Sequence, residues 1–111
     1  MKIWKVTDEA IVFDNGKQIT YDHWQDCCEY NYADFSILTP DNVFYDYDFA
    51  ENLDFEMIDE LGFKFGSDGH WIFIPCYSEQ NGYYTTEIDI YFGGKRTPKK
   101  VLSFDAQFVD V

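Results

Sequence analysis

Positive charge is scarce in this chain. Eight Lys and Arg stand against 21 Asp and Glu, for a formal net charge of −13. Such a field repels nucleic acid and anionic membrane alike, so direct binding to either is not expected, while basic partners are attracted. Long apolar runs are also missing, and charge follows soon after the opening Met1-Lys2-Ile3-Trp4-Lys5. Neither a signal peptide nor a membrane span is therefore expected. Cysteine is limited to three residues, two of them adjacent. An odd count of this kind does not make a secreted disulfide framework. The expectation is a reduced, cytoplasmic protein.

Several chemistries lack their signatures. Neither G-x-x-x-x-G-K-[ST] nor G-x-G-x-x-G occurs, which removes the usual phosphate cradles. The D-x-[DN]-x-[DN]-G loop of a calcium hand is absent despite the many acids. No paired C-x-x-C is found. No cofactor and no enzymatic activity are expected.

Aromatic residues are what the chain has in excess, at 21%, with eleven Phe and nine Tyr. These side chains suit pleated, half-buried surfaces and offer large contact areas for binding. With 111 residues and 46% hydrophobic content, one domain spanning 1–111 is expected. Ile3 to Val6, Ala10 to Phe13 and Gln18 to Tyr21 read as an antiparallel meander, turning at Asp14-Asn15-Gly16-Lys17. Asp22 then suits an N-cap, with a helical turn over about 23–30. Asn31 to Leu38 reads as extended, and Val43 to Phe49 is ambiguous. Leu53, Met57, Ile58 and Leu61 fall on one helical stripe, which predicts an amphipathic helix over about 51–61 stopped by Gly62.

Beyond it, Phe63 to Phe65 and His70 to Tyr77 read as a hairpin about Ser67-Asp68-Gly69. Trp71-Ile72-Phe73-Ile74, apolar on both faces, is placed centrally in the sheet. Ser78 to Gly82 reads as a turn and Tyr83 to Phe92 as an alternating strand. Lys95 to Lys100 reads as a basic loop that serves as an internal counterweight or a rim. Val101 to Val109 closes the chain, with Leu102, Phe104, Ala106 and Phe108 inward. The expected fold class is α+β, a mainly antiparallel, strongly twisted sheet of about 6–8 strands with those two helical pieces.

The densest chemistry lies in His23, Gln25, Asp26, Cys27, Cys28 and Glu29. Three readings compete there. A metal site would use His23, Cys27 and Cys28 with His70 or Cys76, but adjacent thiols on a helical turn point about 100° apart. A nucleophilic cysteine with His23 as base finds no Gly-rich oxyanion turn nearby, and acidic surroundings raise a thiol pKa. The plainest reading makes the cysteines small buried hydrophobes and the polar residues partners for backbone groups.

The motif His-x-Gln-Asp-Cys-Cys-Glu at His23 to Glu29, with Asn81-Gly82-Tyr83-Tyr84-Thr85 downstream, resembles a family of short uncharacterised proteins of tailed phages and prophage-bearing bacteria. Serine is commoner there where Thr85 stands. The resemblance implies a phage or prophage origin, hence a host-cell cytoplasm, and an α+β fold. It implies no activity.

Charge is unevenly placed. Residues 1–60 carry fifteen acids against three bases, and Asp41 to Glu60 holds eight acids with no Lys or Arg. The function this favours is a non-enzymatic acidic binding protein that docks onto a basic host protein, a nuclease or DNA-binding protein. Asp46, Asp48, Glu51, Asp54, Glu56, Asp59 and Glu60 would carry the field, with Tyr45 and Tyr47 as anchors. Carboxylates two apart on a strand repeat at about 6.7 Å. Two phosphate steps along one DNA strand span roughly 6.8 Å. In its concrete form this is a nucleic-acid mimic that inhibits host defence. The alternatives are a small-ligand or metal-binding protein using the His23–Glu29 turn beside Asn81, Tyr83 and Tyr84, and a self-associating homodimer.

Overall fold

Ten strands carry the regular structure of this computed structural model, which describes residues 1–22, 29–39, 41 and 45–111. One five-stranded sheet contains β1 (Ile3–Val6), β2 (Ala10–Phe13), β3 (Gln18–Asp22), β8 (Glu87–Gly94) and β9 (Thr97–Asp105), hydrogen-bonded in that order and all antiparallel. The second contains β4 (Tyr30–Ala33), β5 (Asp54–Ile58), β6 (Gly62–Ser67), β7 (His70–Gln80) and β10 (Gln107–Asp110). There β5, β6 and β7 run antiparallel, and the C-terminal half of β7 also pairs with β4 and, in parallel, with β10.

Both sheets turn their apolar residues onto one shared core. Phe13 of β2 meets Phe49, Phe65 and Phe92 edge-on, with ring centroids 6.1, 6.4 and 6.3 Å away. Phe63 and Phe104 close the same contact between sheets at 6.3 Å. The edge-to-face contacts of Phe13 add to the stabilisation from area burial alone. Ile11, Ile19, Ile74, Ile88 and Ile90 are fully buried among them.

The opening meander and the Asp68-Gly69 hairpin follow the sequence reading. Gly16 takes φ +88° at the first turn, and Asp68 and Gly69 take +53° and +81° at the second. Two consecutive positive φ values make the turn whose twist matches flanking strands.

The α+β expectation is wrong: the fold is almost entirely antiparallel sheet, in two layers rather than one sheet of six to eight strands. No α-helix occupies 51–61. Residues 54–58 are strand β5, with Asp54 opposite Gly66, Phe55 opposite Phe65 and Met57 opposite Phe63. The helical stripe left Phe55 outside. In a strand Phe55 instead points at the core, 5.5 Å from Phe92 and 6.5 Å from Phe65, and burying an aromatic ring outweighs a weak helical preference. Gly62 does not stop a helix but lies in β6, where an added Cβ would collide with the Ile74 carbonyl oxygen. Of the helical turn expected at about 23–30, residues 23–28 lie outside the described residues, and Tyr30 already belongs to β4.

Three further boundaries move. The Ser78–Gly82 turn starts only at Asn81, because β7 continues through Ser78 and Gln80, both fully buried. The closing strand breaks at Ala106: β9 ends in the first sheet and β10 crosses to the second. Phe108, expected inward, is half exposed. The basic loop narrows to Lys95-Arg96, the two-residue tip of the β8–β9 hairpin.

Candidate functional site

The outer face of the second sheet is where the structure departs most usefully from the sequence reading. Side chains alternate along a strand, so Ile72, Ile74 and Cys76 of β7 face the core and Trp71 and Phe73 face away. Trp71 and Phe73 remain 37% and 39% exposed. Cross-strand register puts Phe73 beside Lys64, and Lys64 beside Glu56; one step along, Trp71 lies beside Gly66, and Gly66 beside Asp54. The face is thus a short acidic strand, a central lysine and two exposed aromatic rings. Large exposed aromatics in one place mark a contact surface.

Lys64 ties the parts together. Its Nζ lies 3.4 Å from Glu56 Oε2 and 4.7 Å from the centre of the Trp71 ring. The indole face therefore already holds a cation, the geometry of a cation–π contact. Gly66 is required beneath it, since a Cβ there would collide with the His70 carbonyl oxygen. Asp59 and Glu60 continue the negative charge into the exposed β5–β6 turn, where Glu60 takes φ +58°.

No family model, curated protein or solved structure matches the chain.

The other anticipated residues divide into three groups. Asp54, Glu56, Asp59 and Glu60 lie together on or beside β5, and Glu51 is exposed just before it. Asp46 and Asp48 are exposed on an irregular segment, so the two-residue strand spacing belongs to Asp54 and Glu56 rather than to them. Asp48 binds the Met1 ammonium at 2.6 Å, and that hydrogen bond and charge hold its carboxyl below the usual range. Tyr45 and Tyr47 pack against the core rather than standing free. Burial pushes the Tyr45 phenol up. Tyr47 stacks on His70 at 4.1 Å, lies 4.6 Å from Phe49, and donates to the Ser67 carbonyl at 3.4 Å.

The His23–Glu29 stretch falls largely outside the described residues, and with it the readings on His23, Gln25, Asp26, Cys27 and Cys28. Glu29 is buried immediately before β4. His70 and Cys76, the proposed additional metal ligands, lie six residues apart on β7. Each was an alternative fourth ligand to His23, Cys27 and Cys28, which lie outside the described residues. Among the described residues no group of three His, Cys, Asp or Glu side chains could hold a metal.

The Asn81–Thr85 motif is held by residues that the sequence reading passed over. Asn31, Ser78 and Gln80 are fully buried polar residues. Asn31 Nδ2 donates to the carbonyls of Thr85 and Glu87 at 3.0 and 3.1 Å. Ser78 Oγ donates to Asn31 Oδ1, and Gln80 Nε2 donates to Ser78 Oγ at 2.7 Å and to the Thr85 carbonyl at 3.1 Å. Gln80 Oε1 accepts from the Tyr84 amide at 2.8 Å. This network joins the second sheet to the chain entering β8 of the first. Tyr83 projects from it, 87% exposed, while Tyr84 is half-buried. Ser78 and Gln80 continue the alternation of the β7 core positions Ile72, Ile74 and Cys76, but turn-forming residue types mask it, and nothing in the sequence singles out Asn31 on β4.

Proposed function

We propose that the chain is a non-enzymatic acidic binding protein that docks the outer face of its second sheet onto a basic partner. In its concrete form it is a nucleic-acid mimic of phage type that inhibits a host defence or DNA-binding protein. The observation that carries the reading is the pairing of Asp54 and Glu56 on β5 with exposed Trp71 and Phe73 across the same face. Two carboxylates on one side of a strand stand about 6.7 Å apart, close to the roughly 6.8 Å of two phosphate steps. The rings supply what carboxylates cannot: desolvated contact area and a face that accepts Arg or Lys. Phage origin is supported by the two sequence motifs alone.

The test is capture from a host lysate with the native chain and with the triple variant Asp54→Lys, Glu56→Lys, Asp59→Lys. A basic nuclease or DNA-binding protein retained by the native chain, released by duplex DNA and lost to the triple variant supports the reading. Equal retention by both chains, or indifference to competing DNA, sinks it.

A further inference from the structure

A recess lies at the seam between the sheets, away from Trp71. It encloses about 150 Å³ between Tyr21 of β3, Tyr30 and Tyr32 of β4, Phe35, and the carboxyl-bearing residues Asp8 and Asp34. For scale, a cavity of about 150 Å³ accommodates a benzene-sized molecule. Its walls are aromatic: Tyr30 and Tyr32 stand 4.6 Å apart at 44°, and Tyr21 meets Phe35 at 5.8 Å. Among the described residues that line it there is no Lys or Arg.

The walls are also fixed. The Tyr21 hydroxyl donates to the Asp8 carbonyl at 3.4 Å. The Tyr32 hydroxyl donates to Glu79 Oε1 at 3.4 Å. Asp34 caps the short 3-10 turn of Phe35–Ile37, accepting the Ser36 amide at 3.0 Å through Oδ1. Burial, with negative neighbours, pushes the phenols of Tyr21 and Tyr32 up, so both stay neutral at physiological pH. Neutral phenol rings and two carboxylates make a recess that attracts a cation without donating a proton to it.

We propose that this recess is a binding site for a guanidinium group. A hard metal ion wants six or more oxygen ligands, more than two carboxylates and their neighbours supply. A guanidinium is flat, stacks on aromatic faces, and directs its N–H groups at carboxylates in the ring plane. Register places Tyr32 opposite Tyr77 and Tyr30 opposite Glu79, on the face of the second sheet that carries Trp71 and Phe73. The recess thus lies at the far end of the docking face. That the guanidinium is an arginine of the basic partner rests on the reading above; the chemistry of the recess does not.

The experiment is an NMR titration of the isolated chain with N-acetyl-arginine amide, its lysine counterpart, and the neutral isostere N-acetyl-citrulline amide. The arginine probe should give saturable shifts of the Tyr21, Tyr30 and Tyr32 rings at millimolar concentration. Binding at least fivefold weaker is expected for citrulline and lysine. Tyr30→Ala, at a half-exposed ring, should abolish saturation, and Asp8→Asn, at an exposed residue, should weaken it several-fold without unfolding risk. Equal binding of citrulline, or shifts spread over Asp54 to Glu60 and untouched by Asp8→Asn, overturns the site. No macromolecular partner enters this titration, so its failure leaves the lysate experiment standing, and the reverse.

Discussion

Asn31 shows how much one residue decides in this chain. Its amide donates to two backbone carbonyls in the strand-entry segment of the opposite sheet, and its oxygen accepts from Ser78. Leaving a buried group unpaired costs about 1–3 kcal/mol. Asn31→Ala should therefore lower the urea midpoint by a corresponding amount with an unchanged slope. An unchanged midpoint would show that the network is not holding the sheets. Tyrosine supplies a second expectation. The Tyr21, Tyr32 and Tyr45 phenols are all raised in the fold, first by burial. The unfolded chain then loses protons near pH 10 while the folded chain keeps them, so the folded form gives up stability as pH rises above about 10. Absorbance titration should find fewer than all nine tyrosines ionising before unfolding, and Tyr21→Phe should reduce the alkaline loss. None of this could be read from residue types: Ser78 and Gln80 sit beside Asn81-Gly82, and turn-forming composition hid a strand.

At the level of elements, legibility followed how many independent signals agreed. In β1 to β3, alternation, β-branched residues and an Asn-Gly turn all point to one hairpin arrangement, and the reading held. In 51–61 two periods overlapped. Leu53, Met57, Ile58 and Leu61 satisfy a helix, whereas Asp54-Phe55-Glu56-Met57 alternates, and only the demand of Phe55 for burial separates them. Trp71 and Phe73 failed differently: an apolar run cannot say that one of its faces is left in water. The strand assignment carries its own prediction. Gly66→Ala should destabilise the β6–β7 pair by about 2–4 kcal/mol, because the neighbouring carbonyl cannot move without breaking pairing. Met57→Val, on a half-exposed strand position, should instead be neutral or stabilising by up to about 0.5 kcal/mol, as β-propensity favours the branched side chain. A helix there would reverse that sign.

For the whole molecule, charge and topology act together. Bases stand at the hairpin tip and along β9, where Lys95, Arg96, Lys99 and Lys100 are all exposed, and acids outnumber bases at the other exposed positions among the described residues. Among the described residues no helix is long and apolar enough to cross a membrane. A partner held by exposed carboxylates should dissociate faster as salt rises, since the screening length falls from about 10 Å at 0.1 M to about 3 Å at 1 M. A Trp71→Ala, Phe73→Ala variant should lose affinity at every salt concentration while keeping the native salt dependence, because it removes area and not charge. Unchanged affinity would instead place the rings outside the contact.

Lys64 turns this surface into an occupied one. Its ammonium already rests between Glu56 and the Trp71 ring, a tethered rival present at the millimolar-scale effective concentration of a short link. On the proposed reading an incoming arginine would have to evict it, and docking would be an exchange rather than an addition. Weakly held cations such as free salt and stray lysines would then be turned away, and only a partner with several contacts would win the place. Lys64→Met should tighten a partner's hold several-fold while admitting more of the wrong ones.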